Sequence, residues 1–340
     1  LHITIFRVRN PCLTDLSFRI NICDVRGKRS EARHESACRR IFNPDPRPNM
    51  YKQPFFKEKR TNYRYFQDTI LLKEGPYMYI FLQSILRMTA WPMTPPVPYS
   101  AFHILLTLFG AGFAVSFARV FGKKIRSMTS PEPYFRHILF SCGVLLALME
   151  LYKQAFLYVI EFHGHFDWWY FPFQLCSLPM YLCLLLPFVP HKYQRIFCTF
   201  MYNYNLLGAV MVFVDPSGLM HPYWTLTLHG FIWHILLIFI GLLIAFSRMV
   251  LPTAKGFWQS TAVFAVGCVI ATIINVTSHP YGNADMFYIT PYYATTQIVY
   301  SQIAAKFGIF AGNAVYVLSI ILGAWLLHLV YEILSHRTCH

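Results

Sequence analysis

Four residues of this sequence have types that could do chemistry together: Cys176, His234, Glu150 and Lys153. A cysteine attacks only as the thiolate, and a free thiol has a pKa of about 8.5, so a nucleophilic cysteine needs a base or a cation beside it. His234 could be that base, within the run Leu228-His229-Gly230-Phe231-Ile232-Trp233-His234-Ile235. On an ideal helix His229 and His234 diverge by roughly 140 degrees, which assigns one of them to a site and the other to packing or capping. Glu150 and Lys153 lie three apart and share a helix face. Two readings stay open for them: mutual neutralisation, or a pair that polarises a reacting carbonyl or relays protons.

Cys176 stands in Phe171-Pro172-Phe173-Gln174-Leu175-Cys176-Ser177-Leu178-Pro179-Met180. Two prolines seven apart loosen a helix there and free backbone groups that neighbours must satisfy, a pattern suited to lining a cavity. Cys183 follows seven residues on and shares the face, so a packing stripe of thiols is the alternative. Asn275, His279, Asn283 and Asp285 lead into Met286-Phe287-Tyr288-Ile289-Thr290-Pro291, a polar hairpin or re-entrant stretch that would suit a lipid headgroup or a water-filled vestibule. Gln174, Asn205, Asn275, His279 and Asn283 are the candidate substrate-binding residues. His163, His165 and Asp167 match no well-defined zinc spacing, and no metal or other cofactor is expected.

Such groups need a scaffold, and composition names its solvent. Hydrophobic residues make up 56% and charged residues only 13% of the chain, against about 25% charged in a soluble domain, so a soluble globular protein is excluded. The net charge of +14 could suggest nucleic acid. Yet residues 1–75 hold 16 of the 29 Lys and Arg, and the weakly charged remainder offers no soluble face for phosphate, so nucleic acid is not a partner. Seven apolar runs could each cross a hydrocarbon core of about 30 Å: 98–121, 135–160, 169–189, 195–214, 224–247, 257–277 and 308–334. Backbone groups at that depth must pair within their own segment, and the runs are too long and too unalternating for barrel strands. The expected fold is all-α, a polytopic transmembrane helical bundle of about seven spanning helices.

Short loops rich in Lys and Arg stay cytoplasmic. The first loop carries Lys123, Lys124, Arg126 and Arg136, the third Lys192 and Arg195, the fifth Arg248 and Lys255; the even loops carry Glu161 and Asp167, then Asp215, then Asp285 with Lys306. The expected location is the cell membrane with the C-terminus cytoplasmic. Residues 1–49 read as a disordered extension or start-site artefact ahead of Met50. Residues 50–97 form a basic aromatic head with an interfacial helix near 77–88, residues 98–336 the bundle, and 337–340 a tail. The nine cysteines form no CxxC pair and are expected as free thiols.

The Gln-Leu-Cys-Ser-Leu-Pro run at 174–179, the His-Gly-Phe-Ile-Trp-His run at 229–234 and the segment Asn283 to Pro291 resemble the YwaF-type family of bacterial integral membrane proteins. The resemblance covers about residues 85–336. That family is distantly similar to a eukaryotic transmembrane acyltransferase family that moves fatty acyl groups onto ether phospholipids through a membrane cysteine and histidine. The resemblance implies Cys176 as nucleophile, His234 as the histidine, Glu150 and Lys153 as an acid-base pair, and membrane phospholipids as acyl donor and acceptor. A different class is also open, a non-catalytic binder or transporter of lipids or small molecules with a polar interior.

Overall fold

The computed structural model describes residues 75–337, so the readings for 1–49, for 338–340 and for most of the head lie outside the described residues. Among the described residues the chain is helical, with one isolated antiparallel bridge, Pro92 to Tyr223. Six helical spans are long and apolar enough to cross a membrane: Ala101–Arg126, Pro131–Glu161, His191–Val214, Trp224–Phe246, Ala254–Ser278 and Ile309–Ser335. A shorter apolar stretch, Leu175–Phe188, lies between the second and third of these. This is a multi-pass membrane protein.

In chain order the helices are α1 (Gly75–Arg87), α2 (Ala101–Arg126), α3 (Pro131–Phe156), α4 (Leu178–Leu185), α5 (His191–Phe200), α6 (Leu206–Val214), α7 (Trp224–Phe246), α8 (Ala254–Ser278), α9 (Ile298–Phe307) and α10 (Ile309–Arg337). Water cannot drive helices together inside lipid, so close approach of small residues and interhelical hydrogen bonds do. α2 shows the first device. Gly110, Ala114, Ala118 and Gly122 recur every four residues, with Ala114 and Ala118 fully buried. A Cβ at Gly110 would collide with Ile235 and one at Gly122 with Phe246, both on α7. Its other face, with Leu108, Phe109 and Phe113, is exposed and suited to lipid tails. Arg126 donates to the Phe246 carbonyl and closes the C-terminal end of α7.

The second device appears where the regular ladder breaks. The third apolar run, 169–189, where two prolines are expected to loosen the helix around Cys176, forms short 3-10 turns at Trp168–Tyr170 and Leu175–Ser177 before α4, and another at Leu186–Phe188 after it. The cause is local: Pro179 stands four residues after Leu175 and has no N–H to give to its carbonyl. That carbonyl takes the Leu178 N–H of the 3-10 turn, and Asn205 Nδ2 also donates to it at 2.6 Å, from a π-turn, Met201–Asn205, inserted between α5 and α6. Trp233 Nε1 on α7 donates to the next carbonyl, of Cys176, at 3.2 Å. The start of the broken span is thus suspended from two neighbouring helices.

One end of the bundle is closed by the segments that follow α3, α6 and α8. The segment after α1 joins them: Met93 N–H donates to the Pro222 carbonyl at 2.9 Å, and Trp224 N–H to the Trp91 carbonyl at 3.0 Å. Thr225 Oγ1 donates to the Thr89 carbonyl at 3.0 Å. At this end Leu86 of α1 packs into an apolar cluster with Phe156, Leu157, Val159 and Leu226. Between α8 and α10 the chain makes an αα-hairpin with α9, turned at Gly308, whose φ of 93 is open to glycine at little cost. The loop charges at 279–308 carry no sign of α9, which the sequence pattern missed.

Candidate functional site

At this closed end a cavity of about 160 Å³ is lined by Cys176, His234, Glu150, Lys153 and Gln174 from the expected set, together with Ser177, Trp169, His221, His229, Trp233 and Tyr288. Each element contributes for a reason already met. α3 brings Glu150 and Lys153 within its last two turns. The suspended 3-10 turn brings Cys176, and α7 brings His229, Trp233 and His234.

Lys153 Nζ lies 2.8 Å from Glu150 Oε1, and Gln154 Nε2 donates to the same oxygen at 2.7 Å. The pair is thus mutually neutralised and also lines the cavity wall. The two side chains are only 7% and 21% exposed, so each would be costly to leave unpaired.

His234 and His229 have complementary proton positions. Their contacts are to backbone carbonyls, which only accept, so the contacting ring nitrogens must carry the protons. His234 donates through Nδ1 to Gly230 at 2.7 Å, leaving the Nε2 lone pair free. His229 donates through Nε2 to Met149 at 3.1 Å, leaving Nδ1 free, and its ring stacks on Trp233 with centroids 5.6 Å apart. The expectation that only one of the two faces the site is corrected: both line the cavity. The helical angle is as expected, but the cavity wraps around this stretch of α7 and meets two of its faces.

Of the candidate substrate-binding residues, the structure brings only Gln174 to the cavity wall. Its amide clasps the segment after α8, donating to the Asp285 carbonyl and accepting from Phe287 N–H, both at 2.8 Å. Asn275, fully buried on α8, does the same for Met286, donating to its carbonyl at 3.1 Å and accepting from its N–H at 2.6 Å. Asn205 holds Leu175, as described. His279 and Asn283 are exposed, His279 stacked on Tyr292 at 3.6 Å. Cys183 is fully buried, with its Sγ against Met201 Sδ at 3.8 Å, and does not line the cavity.

Residues that sequence reasoning passed over are His221, Trp169 and Tyr288. Burial, and after it the Lys153 charge, pull the His221 imidazole down to about 4, so it is neutral at physiological pH. Tyr288 lies inside the very segment that the resemblance singled out, and that was the available signal. The five described cysteines are free, and no group of three metal-ligating side chains comes together among the described residues. Asp167 instead caps a 3-10 turn by accepting from Trp169 N–H at 2.9 Å.

No curated protein and no solved structure matches the chain. A family model does match, across residues 98–331, which takes in five of the six long spans whole, the sixth as far as residue 331, the broken span and the whole cavity wall. That stretch is more than half of the 340 residues, and the chain belongs to the TMEM164 family.

Proposed function

We propose that this protein is an intramembrane acyltransferase that moves a fatty acyl group between phospholipids through Cys176 and His234. The observation that carries the reading is the tautomer of His234. Its Nδ1 proton is committed to Gly230, so the nitrogen left over is a base, in the same cavity as the Cys176 thiol. The resemblance to a cysteine- and histidine-dependent acyltransferase adds to this, and it points to the same two residues.

In the first half-reaction the thiol proton passes to His234 Nε2 and the thiolate attacks the ester carbonyl of the donor phospholipid. The carbonyl π electrons move onto oxygen, the C–O bond then breaks, and the lysophospholipid leaves with the proton from Nε2, leaving a thioester on Cys176. In the second, the acceptor hydroxyl gives its proton to Nε2 and attacks the thioester, the C–S bond breaks, and the sulfur recovers the proton. Splitting the transfer in two is what covalent catalysis contributes. The Lys153 ammonium, held by Glu150, supplies positive charge on the cavity wall.

Loop charge supports an orientation for this reading. Lys123, Lys124, Arg126, Lys192, Arg195, Arg248 and Lys255 fall at the end of the bundle opposite the cavity, which favours a cytoplasmic side for that end, with the C-terminus, and a cavity toward the outer face of the cell membrane. The test is reconstitution of the full chain with a phosphatidylcholine carrying a labelled acyl chain. Label should enter wild-type protein as a hydroxylamine-labile thioester and move to an added lysophospholipid. Absence of both, with folded protein, overturns the reading.

A further inference from the structure

The segment that brings Tyr288 to the cavity is held in a conformation its residues do not choose. Phe287 and Tyr288 have φ of 60 and 56, two consecutive non-glycine residues in the left-handed region. Such a conformation is strained for a residue with a Cβ and persists only where the surroundings over-determine it. Here they do. Gln174 takes the Asp285 carbonyl and Phe287 N–H, Asn275 takes both backbone groups of Met286, and Asp285 Oδ1 accepts from Thr290 N–H at 2.9 Å. The result fixes one side chain. The Tyr288 ring is held edge-on by Trp169 and by Tyr316, each with centroids 6.2 Å away.

The hydroxyl of that ring makes no hydrogen bond to a described residue, although the ring lines the cavity. Four other donors on the wall are committed: Lys153 to Glu150, Trp233 Nε1 to the Cys176 carbonyl, His229 Nε2 to Met149 and His234 Nδ1 to Gly230. Tyr288 also stands near enough to Cys176 for the thiolate charge to act on it. Burial first, and that charge next, push its phenol upward, so the hydroxyl keeps its proton while a thiolate is present. His221, a further ring on the wall, feels the Lys153 charge instead.

Attack of a thiolate on an ester places a full negative charge on the former carbonyl oxygen, and a fixed donor aimed at that oxygen is among the largest contributions a site can make. We propose that Tyr288 is a catalytic residue of this site, its hydroxyl donating a hydrogen bond to the oxyanion formed on the substrate ester and again on the Cys176 thioester. No proton changes owner in that contact. The O–H stays on the phenol while the oxyanion forms and collapses, and the departing alcohol takes its proton from His234. The strained turn serves to aim a rigid donor. This proposal rests on the acyl-transfer reading.

Tyr288→Phe removes the hydroxyl and keeps the ring between Trp169 and Tyr316. With labelled phosphatidylcholine as donor and the full chain in vesicles, it should lower the rate of thioester formation about 100- to 1,000-fold, with KM for the donor and the melting temperature unchanged. A long-chain alkyl trifluoromethyl ketone, which captures a thiolate as a hemithioketal oxyanion, should bind Tyr288→Phe about 100-fold more weakly than wild type. Tyr288→Leu, which also loses the ring, should fall at least as far in both assays. A wild type that forms thioester, beside a Tyr288→Phe protein within threefold of it in rate and ketone affinity, overturns the role of Tyr288 and leaves acyl transfer standing. A folded wild type with no thioester overturns the acyl-transfer reading itself.

Discussion

His234 gives its Nδ1 proton to the carbonyl of Gly230, one turn earlier on the same helix, at 2.7 Å. A helix carbonyl at that position cannot move away or donate, so the tautomer is set by the backbone. His234→Ala is expected to lose as much acyl transfer as Cys176→Ala, because residues acting as one unit give non-additive losses, and the double variant should lose no more than either single one. Single-turnover labelling of the three proteins decides this. A double variant much worse than both would separate the two roles.

The neighbouring histidine is expected to matter in a graded way. His229 lines the same cavity but holds α7 to α3 through Met149. His229→Ala should reduce transfer by about tenfold, against the 100- to 10,000-fold range of a lost general base. Cys183→Ala, by contrast, removes a buried sulfur that packs on Met201 away from the cavity. It should leave labelling intact and cost about 1 kcal/mol of stability.

Glu150 and Lys153 give a stability test. Lys153→Met leaves a buried carboxylate with only the Gln154 amide on it, and breaking such a pair from one side costs about 3 kcal/mol or more. Adding Glu150→Gln should restore most of the melting temperature without restoring the cation on the cavity wall. A double variant as unstable as the single one would mean that packing, not charge, sets the loss.

Asp285 predicts a pH dependence whose sign is opposite to the usual carboxylate. Burial raises its pKa from 3.8 to about 6, opposed by the hydrogen bond from Thr290 N–H. Between these values the folded state holds the proton that the unfolded state has released, so stability is full below about pH 4 and is lost as pH rises through about 6. The loss is on the order of 3 kcal/mol. Asp285→Asn keeps the oxygen that accepts from Thr290 and should flatten this part of the melting profile. A profile in which wild type and variant run parallel from pH 4 to 7 would show that Asp285 does not titrate there.

Loop charge makes the topology testable. Reporter fusions should find the Lys124 and Lys255 loops on one side and the Asp215 and Asp285 segments on the other. A cytoplasmic Asp215 segment would reverse the orientation and turn the cavity to the inner face.

Sequence alone determined the solvent, the helical class and the approximate spans, because these depend on transfer energies summed along each run and are nearly independent of neighbours. It also picked out Cys176, His234, Glu150 and Lys153, since charged or reactive groups are rare and expensive in apolar runs. Tertiary structure decided the rest. That Asn205 reaches the Leu175 carbonyl, that Gln174 and Asn275 clasp Asp285 to Phe287, and that α9 folds back at Gly308 all depend on which backbone groups come within reach once distant helices meet. A polar residue in a membrane run announces that it needs a partner. Whether that partner is a substrate or a carbonyl thirty residues away is fixed only by packing, and so His229 and Tyr288 reached the cavity without a signal in the spacing of the chain.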